Sequence, residues 1–300
     1  MRKRITIILI TFILFFSFIT GCIEQPKESD KIRVVATFYP LYEFSNRIGG
    51  EKAEVSTLIP AGVEPHDWEP GPRDIIKLES AQIFVYNGAG FEPFVEGMIE
   101  RIEPGKLTVV DSSKGIELNK TQGRPDPHIW LDPLLAKQQV ENIEEAFIKT
   151  DPENSEYYRA NAKALKQELD NLHEEITREL APAGKRVFIS SHTAFSYFAR
   201  RYNLRQIAIA GLSPEIEPSP AQIAEIVKLA RENGVKYIFF ETLVSPRLSE
   251  VIAKEVGAQT LVLNPIEGLT EDEIKQGKNY FTLMRENLNN LKLALEAENG

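Results

Sequence analysis

Short apolar runs alternate with amphipathic stretches in two separate parts of the chain. In the first part, the apolar runs predict strands at 32–37, 54–59, 83–86 and 107–110. In the second part, they predict strands at 186–190, 206–210, 237–240 and 260–263. Helical spacing of the apolar positions between and after these strands predicts helices at 39–48, 72–80, 91–101, 194–202, 220–233, 246–256 and 280–298. Strands that alternate with short helices are typical of βα units in a mostly parallel sheet.

The segment between these two parts has a different pattern. Helical spacing runs through 136–149 and again through 153–180, and Asp151-Pro152 between them is a typical helix start. The second run would be roughly 42 Å long at 1.5 Å per residue, which is enough to bridge two lobes. We therefore predict an α/β fold with an N-terminal βα lobe at 32–135, a helical region with a linker helix at 136–182, and a C-terminal βα lobe at 183–300.

The beginning of the chain is typical of an exported lipoprotein. A basic start at 2–4 precedes an apolar run at 5–19, which is shorter than the roughly 20 residues of a membrane-spanning helix. Small residues then precede Cys22, and this junction resembles a bacterial-type lipoprotein cleavage site. We predict a signal peptide at 1–22, a lipidated Cys22 and a polar tether at 23–31, which together would hold the protein on the outer face of the cytoplasmic membrane. An uncleaved membrane anchor is the alternative.

Composition narrows the possible functions further. The chain has 35 Lys and Arg against 44 Asp and Glu, a net charge of −9, whereas a nucleic-acid partner would require a clustered basic face. A single cysteine excludes a disulfide framework and any Cys-rich zinc or iron–sulfur site. We therefore expect no nucleic-acid partner, and we expect a monomer.

Three of the four histidines are candidate metal ligands. His66, His128 and His192 each follow a predicted strand or lie in a loop between elements, where ligands bind in open α/β sheets. His173 lies inside the long charged helix and is expected to be solvated. Neutral imidazole suits zinc and other late first-row divalent ions, and three histidines require a fourth group, a carboxylate or a water. The positions alone leave open that each histidine only caps or packs locally.

Two aspartates lie beside these histidines. Asp67 and Asp132 are candidates to accept N–H hydrogen bonds from the imidazole rings, as carboxylates near metal ligands often do. Core packing or helix capping explains both positions equally well.

The segments around the three histidines resemble the histidine motifs of the solute-binding lipoproteins of zinc and manganese ABC importers. The matching segments are Pro65-His66-Asp67-Trp68-Glu69-Pro70, Asp126-Pro127-His128-Ile129-Trp130-Leu131-Asp132-Pro133 and Ser190-Ser191-His192. The resemblance covers about residues 32 to 298. It implies the metal-type periplasmic-binding-protein fold, in which two βα lobes joined by one long helix clamp a metal ion. It also implies a binding protein that supplies an importer permease, and not an enzyme.

The same resemblance implies which residues bind the metal. His66 and His128 would bind from the first lobe, and His192 stands where zinc-binding members carry histidine and many manganese-binding members carry glutamate. This favours Zn²⁺ as the transported ligand, with Mn²⁺ as the alternative.

The resemblance assigns the fourth metal ligand less directly than the three histidines. Several members use an aspartate near the last strand, but this chain has Asn264 there, and members with the same Asn-Pro-apolar-Glu sequence look to use the glutamate, here Glu267. A water molecule or Glu64 is the alternative. Glu241 resembles a position kept in the family, and we expect it to support a ligand or to have a structural role, instead of binding the metal.

Several function classes remain after these observations. The favoured one is an exported, lipid-anchored protein that captures Zn²⁺ and passes it to a membrane permease. A manganese-binding member of the same family, a zinc-dependent hydrolase with an open metal position and an adhesin-like surface lipoprotein are the alternatives. The sequence lacks His-Glu-x-x-His, Gly-x-Ser-x-Gly and a Gly-rich phosphate loop, which argues against an enzyme.

Overall fold

Two four-stranded parallel sheets form the framework of the protein, seen in a computed structural model that describes residues 31–121 and 123–296. The strands of the first sheet are β1 (Ile32–Ala36), β2 (Ala53–Thr57), β3 (Ile83–Tyr86) and β4 (Thr108–Asp111). Those of the second sheet are β7 (Val187–Ser190), β8 (Arg205–Ala208), β9 (Tyr237–Phe240) and β10 (Gln259–Val262). The first sheet has the strand order β2-β1-β3-β4 and the second has the order β10-β9-β7-β8. All eight lie within two residues of their predicted bounds.

The register of these sheets brings their loops together at one edge. Val34 of β1 lies opposite Val55 of β2 and Ile83 of β3, and Ile189 of β7 lies opposite Ile238 of β9. Val34, Ile83, Ile189 and Ile238 are fully buried. Because every strand of a sheet runs in the same direction, the loops after the strands line one crevice in each lobe.

Helices connect the strands of each sheet. In the first part of the chain they are α1 (Tyr39–Gly49), α2 (Pro72–Glu79) and α3 (Val95–Ile99). In the second part they are α6 (Ser196–Arg201), α7 (Pro220–Glu232), α8 (Arg247–Val256), α9 (Glu271–Lys275) and α10 (Tyr280–Ala294). The residues 297–300 at the predicted end of α10 lie outside the described part of the chain.

Two helices differ from the prediction for local reasons. Helix α3 is shorter than predicted because Glu92 accepts hydrogen bonds from the backbone N–H groups of Asn87 and Gly88, which keeps the preceding residues in a loop. Helix α9 was not predicted. It begins at a capping box in which Thr270 and Glu273 exchange hydrogen bonds. A two-stranded hairpin, β5 (Lys120–Thr121) with β6 (Arg124–Pro125), was also not predicted.

Two long helices separate the two sheets. Helix α4 (Pro133–Thr150) and helix α5 (Ser155–Leu180) pack against each other, and α5 has 26 residues. The side chains that α5 buries recur every three or four residues: Tyr158, Ala162, Leu165, Leu169, Leu172, Ile176 and Leu180. This spacing forms one apolar stripe along the helix.

Helix α5 contacts elements of both lobes. Its Glu168 pairs with Arg47 of α1, and its Glu175 pairs with Arg285 of α10 at 2.9 Å. The predicted fold class, two βα lobes joined by one long helix, is therefore confirmed. The described residues from Lys31 onward form one compact unit, so the lobe boundaries 32–135, 136–182 and 183–300 stay predictions.

The environment of His173 differs from the expected one. It is half-buried, and its Nδ1 lies 3.2 Å from the hydroxyl of Tyr202. The reason is that α5 packs its C-terminal half against the second lobe, which covers this helix face.

The predicted signal peptide, Cys22 and the tether up to residue 30 lie outside the described residues. No helix within residues 31–121 and 123–296 has the length and apolar content that crossing a membrane requires.

Candidate metal centre

Four side chains converge between the two lobes. His66, His128, His192 and Glu267 each offer one ligand atom, and these atoms all lie within 4.8 Å of one another. The Oε1 atom of Glu267 lies 3.4 Å from Nε2 of His66, 3.4 Å from Nε2 of His128 and 3.6 Å from Nε2 of His192. The Nε2 atoms of His128 and His192 are 3.1 Å apart. Three imidazole nitrogens and one carboxylate oxygen thus surround a single point.

The spacing of these atoms fits a tetrahedral zinc ion. Zinc–nitrogen and zinc–oxygen bonds of about 2.1 Å place neighbouring ligand atoms of a tetrahedron about 3.4 Å apart. The separations from Glu267 Oε1 and between His128 and His192 lie close to this value. A set of three imidazoles and one carboxylate also suits zinc better than calcium or magnesium, which prefer only oxygen ligands.

Each lobe supplies two of these side chains. His66 lies in the turn Pro65–Asp67 after β2, and His128 precedes the turn Ile129–Leu131 that leads into α4. His192 follows β7, and Glu267 lies in the loop after β10. The three histidines thus lie in loops between elements, as the sequence indicates, and these loops bring them together.

Carboxylates orient two of the imidazole rings. The Nδ1 atom of His128 lies 2.8 Å from Oδ1 of Asp126, and Nδ1 of His192 lies 2.7 Å from Oε1 of Glu241. Each ring thus donates its Nδ1–H to a carboxylate, which leaves the lone pair of Nε2 directed into the site. Glu241 has the supporting position that we expected.

Asp126 is the residue that sequence reasoning missed. Its carboxylate also accepts hydrogen bonds from the backbone N–H of His128 at 3.0 Å and from the hydroxyl of Ser196. An Asp-Pro-His sequence with the carboxylate two residues before the histidine is the signal that could have identified it, because Asp side chains commonly bond two residues ahead.

Neither Asp132 nor Asp67 makes a hydrogen bond or ion pair with a histidine ring among the described residues. Of the two explanations that the sequence left open, the support of an imidazole is therefore wrong for both. Asp132 instead accepts the backbone N–H of Leu134 at the start of α4 and pairs with Arg201 at 2.8 Å. The capping alternative is therefore the correct one for Asp132. Asp67 is exposed and makes no hydrogen bond or ion pair with a histidine in the described part of the chain.

Asn264 is buried beside the site, but its side-chain oxygen accepts a hydrogen bond from the backbone and is not directed to the metal ligands. Its Oδ1 accepts the backbone N–H of Ile266 at 2.7 Å, and its Nδ2 donates to Thr242 and Glu273. The amide oxygen is therefore already used in shaping the loop that carries Glu267.

Glu64 lies next to the four converging side chains without belonging to them. Its Oε1 accepts the backbone N–H of His66 at 3.2 Å, which caps the turn that carries this histidine. Burial and the nearby charge of Glu267 raise the pKa of Glu64 to about 8.

The electrostatics of the site favour a negative Glu267 beside proton-binding histidines. Burial alone would raise the pKa of Glu267, but the imidazoles of His66, His128 and His192 hold it well below its usual range. Burial alone would lower the pKa of His128 and His192, but Asp126 and Glu241, together with Glu267, raise both above the usual histidine value. The carboxylate is thus held ionised, and protons and a metal ion compete for the imidazoles.

Several buried polar atoms here have no hydrogen-bond partner among the described residues. They include both carboxylate oxygens of Glu267, Nε2 of His66, Oε2 of Glu64 and Oε2 of Glu241. A buried polar atom without a partner costs about 1–3 kcal/mol, so such a cluster requires an explanation. A cation at the centre of the four converging side chains would satisfy the oxygens of Glu267 and Nε2 of His66.

Aromatic rings close one side of the site. The ring centre of Phe91 lies 5.0 Å from that of His66, and the ring centre of Trp130 lies 5.2 Å from that of His128. Trp130 is fully buried, whereas the half-buried Trp68 packs against Phe94 instead. Trp130 therefore shields the ligands on this side of the site.

Comparison with known proteins extends these observations. Residues 34–294 match the family model described as zinc-uptake complex component A, periplasmic, ZnuA. The chain is 42% identical over 286 residues to the high-affinity zinc uptake system protein ZnuA of Bacillus subtilis, covering 89% of each chain. It is 37% identical over 320 residues to the zinc-binding protein AdcA of Streptococcus pyogenes, where the alignment covers 99% of this chain and 62% of AdcA.

Solved structures of zinc-binding and metal-transporting proteins are also similar to this chain. The Zn(II)-bound ZnuA-like domain of Streptococcus pneumoniae AdcA is similar at a TM-score of 0.80 and 37% identity, covering 89% of this chain and 99% of that domain. The laminin-binding protein Lmb of Streptococcus agalactiae, described as bifunctional with adhesin and metal-transporting activity, is similar at a TM-score of 0.80 and 35% identity, covering 88% of this chain and 99% of Lmb.

Proposed function

This chain belongs to the zinc-uptake complex component A family, and on that basis we propose that it captures Zn²⁺ between its two lobes and delivers the ion to the membrane permease of an ABC importer. It is a solute-binding protein of zinc uptake, and the family is not one of enzymes. The observation that carries the proposal is the convergence of three Nε2 atoms on Oε1 of Glu267 at distances of 3.4–3.6 Å.

The proposed zinc ligands are His66, His128, His192 and Glu267. The near-tetrahedral spacing, the mixed nitrogen and oxygen donors and the ionised carboxylate all support this set. Four protein ligands would leave no position for an activated water, which a zinc hydrolase needs. The alternative of an open metal position is therefore disfavoured by the same geometry.

The proposed capture mechanism follows from the origin of the ligands. Because two come from each lobe, bound Zn²⁺ stabilises the closed arrangement of the lobes relative to any more open one. Release at the permease would require separation of the two ligand pairs. Helix α5 contacts both lobes, so we expect this separation to be small, and scattering from the metal-free and zinc-bound protein tests it.

The proposed location is the outer face of the cytoplasmic membrane, with the protein held there by lipid on Cys22. The basic start, the short apolar run and the small residues before Cys22 support export and lipidation. Incorporation of labelled fatty acid into the full chain and into a Cys22→Ala variant tests the anchor. Loss of the label only in the variant would support it, and equal labelling of both would contradict it.

The experiment that tests the metal proposal is a competitive titration of the chain from Lys31 onward, which retains the whole compact unit. Zn²⁺ and Mn²⁺ would be titrated into the original sequence and into Glu267→Ala. One tightly bound Zn²⁺, preferred over Mn²⁺ and weakened in the variant, is the expected result. Unchanged zinc affinity in the variant would remove Glu267 from the ligand set, and no bound metal would overturn the proposal.

The likeness to Lmb supports one second candidate function, adhesion at the cell surface. It would add to metal binding, because Lmb is described as having both activities. Binding of the purified protein to immobilised laminin tests this second function. No binding to laminin would contradict it and would leave metal binding alone. A signal that depends on protein concentration and survives His192→Ala would support a separate adhesive surface.

A further inference from the structure

The loop that carries Glu267 contains a strained backbone position. Ile266 has a φ of +59°, although it is β-branched and fully buried. Left-handed backbone is disfavoured for such a residue, so the surrounding structure must hold it in place. Because Ile266 directly precedes Glu267, this backbone bend determines where the carboxylate points.

Contacts from the second lobe hold the first half of the loop. The backbone N–H of Asn264 donates to the side chain of Asn287 at 2.8 Å, and Asn287 donates back to the carbonyl of Asn264 at 2.6 Å. The side chain of Asn264 then accepts the N–H of Ile266. These bonds fix the loop to its own lobe, but they do not fix it relative to His66 and His128.

Two described hydrogen bonds connect the backbone of this loop to the first lobe. The backbone N–H of Gly62 donates to the carbonyl of Leu269 at 2.9 Å, after Glu267, and Trp130 supplies the connection before it. Its indole Nε1–H donates to the carbonyl of Pro265 at 2.7 Å, two residues before Glu267. The same ring packs against the imidazole of His128, which lies two residues before Trp130 in the chain. Its backbone carbonyl accepts the hydroxyl of Tyr280 at 2.6 Å, so Trp130 contacts the second lobe at two points.

We propose that Trp130 is a positioning residue that holds Glu267 at coordinating distance from the histidines of the first lobe. The inference rests on the proposed function, because it takes Glu267 as a zinc ligand. Trp130 touches both His128 and the loop of Glu267, so it sets the separation of their ligand atoms across the lobe interface. Without its N–H, the carbonyl of Pro265 loses a buried partner. The strained loop then keeps one described hydrogen bond from the first lobe to its backbone, the one from Gly62 to Leu269.

The chain contains a matched control for this residue. Trp68 also lies two residues after a candidate ligand, His66, but its indole N–H donates to no described residue. Trp68→Phe and Trp130→Phe therefore make the same chemical change next to equivalent histidines. Only the second removes a hydrogen bond to the loop of Glu267.

The test measures Zn²⁺ affinity and the visible absorption of the Co²⁺ form in the chain from Lys31 onward, for both tryptophan variants. We expect Trp130→Phe to weaken Zn²⁺ binding about 10- to 100-fold, the usual effect of removing a group that orients a ligand. The absorption of tetrahedral Co²⁺ should also weaken, since a displaced Glu267 allows water to enter. Trp68→Phe should retain the affinity and the spectrum.

A double-mutant cycle separates positioning from general structural damage. If Trp130 acts through Glu267, Trp130→Phe should cause little further loss of affinity in a Glu267→Ala background. An equal loss in both backgrounds, or no loss in the original sequence, would overturn the proposal. Failure of Glu267→Ala to weaken binding would instead contradict the proposed ligand set, so the two failures are distinguishable. Thermal unfolding of the metal-free variants checks that each one folds.

Discussion

His192 and Glu241 form a fully buried pair in which Nδ1 of the imidazole lies 2.7 Å from Oε1 of the carboxylate, although 49 residues separate them in the chain. His192 follows β7 and Glu241 follows β9, and these strands are neighbours in the second sheet. The pairing of the strands therefore determines which carboxylate supports this candidate ligand. Such a carboxylate fixes the tautomer of the ring and makes Nε2 a stronger donor to a metal.

Replacing Glu241 with glutamine should weaken zinc binding without removing a ligand. The amide can still accept the Nδ1–H of His192, but the negative charge that increases the basicity of the ring is lost. We expect a loss of about 10-fold or more in Zn²⁺ affinity by competitive titration. Glu250→Gln, on the exposed side of α8, is the matched control and should have no effect. Equal affinities for the two variants would contradict the supporting role of Glu241.

As the pH is lowered, the affinity for Zn²⁺ should begin to decline at a higher pH than it would for histidines with the usual pKa. Zinc binds neutral imidazole, and the pKa values of His128 and His192 are raised by Asp126, Glu241 and Glu267. Protons should therefore begin to compete above the usual histidine value of about 6.5. Titrations between pH 8.5 and 5.5 measure this, and Asp126→Asn should move the decline to lower pH. Affinity that stays constant down to pH 6.5 would contradict the prediction.

The metal-free protein should become less stable as the pH rises, although its affinity for Zn²⁺ increases. His128 and His192 have raised pKa values in the folded state, so their contribution is present below about 6.5 and is lost as the pH rises. Glu64, with its pKa raised to about 8, has the same sign because folding favours its protonated form. We therefore expect unfolding temperatures to decrease from pH 6.5 to 8.5 in the presence of a chelator. With excess Zn²⁺ the gain in unfolding temperature should grow with pH, and parallel slopes in the two conditions would contradict this account.

The strands of the two sheets and the two long helices could be predicted from the sequence, because local hydrophobic patterns determine them. Apolar runs located all eight strands of the two parallel sheets, and helical spacing located α4 and α5. The short helix α9 was missed because its capping box at Thr270 and Glu273 does not precede an apolar run long enough to show periodicity.

The residues of the candidate metal site could be predicted from the sequence only in part. The three histidines lie after strands or in loops between elements, which the sequence indicates, but Glu267 was reached only through resemblance. The contact between Trp130 and Pro265 was missed because it depends on how the two lobes pack. Asp126 was missed although its hydrogen bonds to His128, two residues ahead, are local. Asp132 looked like a ligand support in the sequence because nothing local shows that Arg201 pairs with it.

Helix α5 should stabilise the fold without directly affecting zinc affinity. Leu169 is fully buried in its apolar stripe, so Leu169→Ala should lower the free energy of unfolding by about 2–5 kcal/mol. Lys163→Ala, on the exposed face of the same helix, is the control and should change it by less than about 0.5 kcal/mol. Denaturant unfolding of the metal-free protein measures both. A large change in zinc affinity for folded Leu169→Ala would show instead that α5 takes part in forming the site.

Replacing His192 with glutamate should shift metal preference from Zn²⁺ toward Mn²⁺. The substitution exchanges an imidazole, which suits zinc, for a carboxylate, which suits manganese. It also places a third carboxylate beside Glu241 and Glu267, and the repulsion between buried like charges should lower the affinity for both metals. His192→Glu combined with Glu241→Gln removes part of this repulsion and should recover Mn²⁺ binding more than Zn²⁺ binding. Competition titrations of the two ions measure the ratio of affinities directly. A ratio that is unchanged in both variants would show that the lobe arrangement, and not the donor at position 192, determines which metal the protein prefers.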